Sequence, residues 1–182
     1  MEPINILIIG DCGVGKTYTM QQLIKNFNCK TKERIGLINY NTNGFMNVTG
    51  RYDGSTFQGS DKLSMSVMTT LNDFLSQTNG VNIYEGDRFM NKNFIAAAKP
   101  YIIKINGNGI KGRSLRGSNQ TQRQIKSIQT RVSNIKYDFS FADSPAIVTY
   151  LKNLLKTDNK KLITKVLQSD KENYEHQQKT LF

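Results

Sequence analysis

Cysteine and histidine are scarce in this chain of 182 residues, and their scarcity excludes several chemistries. The two cysteines, Cys12 and Cys29, lack metal-ligand spacing and are too few for a disulfide framework, so they read as reduced thiols. The single histidine, His176, lies in a polar tail without a partner nearby and takes no catalytic or metal role. No apolar run reaches the roughly 20 residues of a membrane span, and no signal peptide stands at the start. The expectation is a soluble, cytoplasmic protein.

Acidic residues are missing from one long stretch. Between Arg88 and Tyr137 there is no Asp or Glu, while the same span carries 11 Lys and Arg, equal to the formal net charge of +11. The remainder of the chain is neutral. Such a block suits a solvated face, a lid over nucleotide phosphates, or a surface for a polyanion such as DNA. Eleven cations exceed what one triphosphate needs, which favours lid and polyanion together.

What is present begins with "GDCGVGKT", Gly10 to Thr17, between the apolar "INILII" and the helically spaced "YTMQQLIKNF". It fits G-x-x-x-x-G-K-[ST], in which glycines let backbone N–H groups close around phosphates. Lys16 is then the ligand of the β/γ-oxygens and the Thr17 hydroxyl a ligand of Mg²⁺. A helix start at Gly15 adds its positive dipole end. Gly10, Asp11, Cys12, Gly13, Val14 and Gly15 complete the candidate ATP cradle, with Tyr18 beside it.

Alternation continues along the chain. A strand at 4–9 leads to a helix at 15–27, a second strand at 35–40 and a polar loop to about Ser60. Leu63, Val67, Leu71, Phe74 and Leu75 then share one helical face. Strands at 81–85 and 101–105 flank a helix over "FMNKNFIAAAK". Ile125, Ile128, Val132 and Ile135 form a further apolar stripe, with Arg116, Arg123 and Arg131 along another face. "KYDFSF" suggests a fifth strand, and Ser144 with Pro145 an N-cap and first-turn proline. The class is α/β, with a parallel sheet covered on both faces and its ligand at the carboxyl ends of the strands.

A switch GTPase would need N-K-x-D, and the only approach to it, "NKNF" at 91–94, ends in Phe. The strand ending "NIYEGDRF" instead places Glu85, Asp87 and Arg88 at the carboxyl edge. An acid near Mg²⁺ and an arginine beside the transferred group are the parts that phosphoryl transfer uses. Glu85 or Asp87 also suits a simple helix cap.

The "DRF" at 87–89 resembles the Asp-Arg-aromatic motif of thymidylate-kinase-like nucleotide kinases. The arginine-dense segment 113–131 falls where the lid of that family lies. "GRYDG" (50–54), "GSDKLSM" (59–65) and "YEGDRF" (84–89) are more specifically similar to bacteriophage kinases that phosphorylate hydroxymethyluracil in DNA during thymidine hypermodification, over about residues 4–155. The resemblance implies a P-loop NTPase three-layer fold with a parallel sheet of about five strands and an arginine-rich helical lid. It divides the chain into a kinase domain at 1–157, with its lid at about 107–134, and a C-terminal helix and polar tail at 158–182.

By matching position it also implies that Lys16 and Thr17 handle ATP and Mg²⁺. Glu85 and Asp87 are the further metal candidates, and Asp87 with Arg88 serves the phosphate and acceptor. Arg113, Arg116 and Arg123 close over the donor. Asp53 and Asp61 are the candidates for the group that prepares the acceptor hydroxyl, although Asp61 equally suits a helix's first turn and Asp53 a simple turn. Free-nucleotide thymidylate kinases carry an acid in or beside the phosphate loop, a role that only Asp11 could match here. Tyr52 and Phe57, beside Arg51, could stack on an extruded base or pack in the core. The substrate expected is modified DNA. A nucleoside monophosphate, or a nucleotide-binding adaptor without catalysis, are the alternatives. The final Gln178, Lys179, Thr180, Leu181 and Phe182 resemble the Q-x-x-L-F peptide that docks on bacterial sliding clamps, and equally suit a tail packed on its own domain.

Overall fold

A computed structural model describes residues 2–54, 58–115, 117 and 120–180. Strand β1 (Ile4–Gly10) is buried along its whole length, which suits a central strand with apolar side chains on both faces. Helix α1 (Lys16–Asn26) follows the Gly10–Thr17 loop. Strands β2 (Thr31–Ile35), β3 (Ile38–Thr42) and β4 (Met46–Thr49) come next, then helix α2 (Leu71–Gln77) and strand β5 (Val81–Glu85). Helix α3 (Lys92–Ala98), strand β6 (Tyr101–Ile105) and helices α4 (Ile110–Leu115) and α5 (Gln122–Ser133) lead to strand β7 (Phe139–Phe141). Helices α6 (Ser144–Leu154) and α7 (Lys160–Thr180) close the chain.

The sheet has seven strands in the order β2-β3-β4-β5-β1-β6-β7. It is mixed rather than wholly parallel. From β4 to β7 neighbours run parallel, while β3 is antiparallel to both β2 and β4. Alternation along β1 divides the core in two. Ile6 and Ile8 pack with Met20 and Leu23 of α1, Ile147 and Leu151 of α6, and Ile163 and Leu167 of α7. Leu7 and Ile9 pack with Phe74 of α2, Phe94 of α3 and Val132 of α5. Helices therefore cover both faces. No helix among the described residues is long and apolar enough to cross a membrane.

Four local expectations are corrected. The strand expected at 35–40 is a hairpin: Gly36, at φ 55, turns the chain between β2 and β3, and the Leu37 N–H donates to Thr70 Oγ1 at 3.1 Å. The helical face from Leu63 to Leu75 is helical only from Leu71, after 3₁₀ turns at Ser60–Lys62 and Val67–Thr70. There Thr69 and Thr70 hydroxyls donate to the Ser66 and Val67 carbonyls, a local competition that breaks up helix. Asp143, not Ser144, caps α6, accepting from the Ala146 N–H. The polar tail is helix through Thr180. Tyr150 donates to Asp170 at 2.7 Å, Lys171 pairs with Asp138 at 2.7 Å, and Tyr174 lies 3.2 Å from Ser140 Oγ, so polar side chains anchor α7 along β7 and α6.

Candidate functional site

The Gly10–Thr17 loop leaves the carboxyl end of β1, and packed backbone holds its shape. Gly13 has φ 86, and a Cβ there would overlap the Gly109 carbonyl oxygen and crowd the Arg113 nitrogen. Gly15 has φ 97, and a Cβ there would overlap Ser144 Oγ, which donates to the Val14 carbonyl at 2.9 Å. The loop is thus gripped between the segment that starts α4 and the first turn of α6. Lys16 Nζ arches over it, donating to the Gly10 and Asp11 carbonyls, each at 2.8 Å.

Parallel pairing of β1 with β5 sets Ile8 opposite Glu85 and brings this carboxylate to the same sheet edge as the loop. Thr17 Oγ1 donates to Glu85 Oε1 over a long 3.5 Å. Glu85 is only 3% exposed. Burial pushes its carboxyl up to about 7; the Lys16 ammonium opposes that, Asp61 adds to it, and the Ser60 N–H and Thr17 hydroxyl favour the charged form. A Cβ at Gly59 would overlap Glu85 Oε1, so glycine is required where this loop crosses the acid. Gly59 pairs with Arg51 through two backbone hydrogen bonds of 3.1 and 2.7 Å, which brings Tyr52 to the same place. The Tyr52 hydroxyl donates to the Thr49 carbonyl at 3.1 Å. Burial first, then the Glu85 and Asp61 charges, hold its pKa well above the ordinary value. Ser60 Oγ is buried beside this cluster without a hydrogen-bond partner among the described residues.

A second layer of contacts brings α4 and α5 down onto the loop. Arg113 Nη1 donates to the Cys12 carbonyl at 2.7 Å and the Asn108 carbonyl at 2.9 Å, and lies 3.7 Å from Asp11 Oδ2. Asp11 accepts from the Cys12 N–H at 2.7 Å and from Gln129 Nε2 at 2.7 Å. Cys12 is buried there, and desolvation raises its thiol pKa. Arg131 pairs with Asp87 at 2.6 Å.

Of the residues expected from sequence, Lys16, Thr17, Glu85, Asp11, Cys12 and Arg113 come together. Tyr18 is half exposed on the first turn of α1. Asp61 lies near Glu85, whereas Asp53 is an exposed partner of Lys62 at 2.9 Å. Arg88 Nε donates to the Leu63 carbonyl at 3.3 Å. Arg123 is exposed and makes no hydrogen bond or ion pair among the described residues; Arg131 is the α5 arginine that reaches the sheet edge. Arg116, Phe57, Leu181 and Phe182 lie outside the described residues, while Gln178, Lys179 and Thr180 are the exposed end of α7. Gln129 and Arg131 were not among the expected site residues, and only the register of α5 against the sheet reveals them.

Among the described residues no group of three or more His, Cys, Asp or Glu side chains is arranged to hold a metal ion. The Thr17 hydroxyl and Glu85 carboxylate do offer two oxygen donors side by side. Mg²⁺ typically takes one or two protein oxygens and completes its shell with phosphates and water, so this pair suits it better than a protein-only cage. No protein-family model matches the chain, and no curated protein matches it.

Proposed function

We propose that the protein is a P-loop kinase that transfers the γ-phosphate of ATP to the hydroxyl of hydroxymethyluracil in DNA. The observation that carries this reading is the Thr17–Glu85 pair beneath a G-x-x-x-x-G-K-T loop, roofed by Arg113. The residues present fit the ligand. Lys16 rests on neutral carbonyls, and Arg113 on neutral carbonyls with the Asp11 carboxylate at 3.7 Å; phosphate oxygens offer both cations direct hydrogen bonds that are charge-assisted at both ends. The loop amides and the α1 amino terminus add positive potential.

In this reading Lys16 binds the β- and γ-phosphates, and Thr17 and Glu85 are the protein ligands of Mg²⁺. The metal, when bound, neutralises charge on the phosphate oxygens. Arg113 covers the donor and excludes water. Asp61, beside Glu85, accepts the proton of the attacking hydroxyl as its oxygen bonds to the γ-phosphorus; the bond from that phosphorus to the β,γ-bridging oxygen breaks and ADP departs. Exposed Lys111, Arg123, Lys126 and Lys136 on and beside α4 and α5 support a polyanionic substrate.

The test is transfer of label from γ-labelled ATP to three acceptors: hydroxymethyluracil DNA, ordinary DNA and deoxynucleoside monophosphates. Label on the modified DNA alone is expected. Label on monophosphates selects a free-nucleotide kinase, and ATP binding without transfer selects an adaptor. A pull-down on a bacterial sliding clamp, with and without residues 178–182, tests the proposed tether.

A further inference from the structure

The β2–β3 hairpin extends the sheet beyond its parallel part, and the loop and Glu85 do not need it. Together with the chain leaving β4 it encloses a cleft of about 210 Å³. Alternation along β3 turns Asn39 and Asn41 to one side and Tyr40 to the other, where its ring meets Phe74 edge-on at 5.2 Å. On the cleft side, Asn41 is buried and donates to the Cys29 carbonyl at 3.2 Å. Lys32 lies opposite it across the hairpin. Asn39 Oδ1 accepts from Arg51 Nε at 3.0 Å and so steadies the guanidinium at the mouth. Tyr52 forms the wall toward the acid cluster: its hydroxyl oxygen lies 3.4 Å from where a Gly59 Cβ would stand, and that same point abuts Glu85 Oε1.

Two carboxamides, two tyrosines and two cations line this small space, together with two carboxylates that are engaged by other groups: Glu33 accepts from the Tyr40 hydroxyl at 2.6 Å, and Asp53 pairs with Lys62 at 2.9 Å. Each carboxamide makes one protein hydrogen bond and retains a further N–H and a further lone pair, the complement of the alternating acceptors and donor on a uracil-type ring edge. Tyr52 supplies a flat apolar wall, and Lys32 and Arg51 supply charge for one phosphate. The volume lies below the roughly 300 Å³ at which drug-sized sites begin, so it suits a single base. We propose that this cleft holds the pyrimidine nucleotide that receives the phosphate, its base read by Asn39 and Asn41, its ring against Tyr52 and its phosphate on Arg51 and Lys32. The assignment rests on the kinase reading for the ligand's role as acceptor. The cleft and its chemistry stand on the hairpin alone.

Calorimetric titration of the full chain without ATP tests it. The probes are thymidine monophosphate, a short single-stranded oligonucleotide with one hydroxymethyldeoxyuridine, and the same oligonucleotide with deoxyadenosine at that position. Asn39→Ala, which leaves the charge unchanged, and Arg51→Ala, at an exposed side chain, are each expected to weaken pyrimidine binding by about tenfold or more; unchanged melting midpoints show that both variants fold. Binding of the monophosphate marks a free nucleotide as ligand, and binding of the oligonucleotide alone marks a residue in DNA. Undiminished binding in both variants, equal binding of the deoxyadenosine control, or no binding of any probe overturns the assignment. Phosphate transfer that survives both substitutions would remove the cleft and leave the kinase reading intact. Variant-sensitive binding with no transfer to any acceptor would do the reverse.

Discussion

Glu85→Gln converts a buried carboxylate of the site into a neutral isostere, and the consequence for stability can be worked out. Its carboxyl titrates near 7 in the folded chain against 4.5 for the ordinary group, so between those values the folded state holds a proton that the unfolded state has released. Stability then falls as pH rises through that window, because the unfolded state binds fewer protons. The contribution is fully present below about 4.5 and lost above about 7. At about 1.4 kcal/mol per pH unit, that window corresponds to on the order of 3 kcal/mol. With 3% exposure the carboxylate has little solvent to relieve it. Urea denaturation of wild type and Glu85→Gln at pH 4.5 and pH 8 isolates Glu85 and its charge coupling to Lys16 and Asp61, because titrations elsewhere are common to both proteins. The variant's advantage should grow by on the order of 3 kcal/mol between the two pH values, with unchanged denaturant slope. A difference that stays constant within about 1 kcal/mol would refute the desolvated acid.

Other perturbations follow from the same contacts. Asn82, fully buried, donates to Asn5 Oδ1 and Thr78 Oγ1 and accepts from Asn47 Nδ2. Asn82→Ala strands these groups and should cost on the order of 3 kcal/mol by urea denaturation without changing nucleotide binding at the opposite edge of the sheet. Leu167→Ala, in the apolar seam of α7, should cost about 2–5 kcal/mol and lower the melting midpoint; a cost below about 1 would mean that α7 is not packed on the sheet. A Cβ at Gly109, which has φ 62, would overlap the Cys12 carbonyl oxygen. Gly109→Ala should therefore lift α4 from the loop and increase proteolytic cleavage within 106–121, and an unchanged cleavage pattern would contradict that contact.

Strands β5 and β6 are legible in the sequence with their limits, because buried parallel strands are short apolar runs bounded by Gly80 and Gly86 or by Pro100 and Asn106. Strand β2 is not legible. "TKERI" is an edge strand exposed from Thr31 to Arg34, so no alternating burial pattern marks it. The face from Leu63 to Phe74 is correctly apolar but only partly helical, because burial at helical spacing does not distinguish an α-helix from successive 3₁₀ turns. The end of α7 reads as a polar tail because hydroxyl and ionic contacts, such as those of Asp170 and Lys171, hold it more than apolar ones do. At the site, Lys16, Thr17 and Glu85 are legible because a motif and a strand end place them. Gln129 meets Asp11 from 118 residues away, and no local pattern encodes that meeting.

Calorimetric titration of ATP with Mg²⁺ into wild type and Lys16→Ala most directly tests whether the Gly10–Thr17 loop is a triphosphate cradle. Saturable binding by wild type, weakened by about tenfold or more in the variant, is the predicted result. Equal affinity in the two proteins, or no binding by wild type, would contradict it.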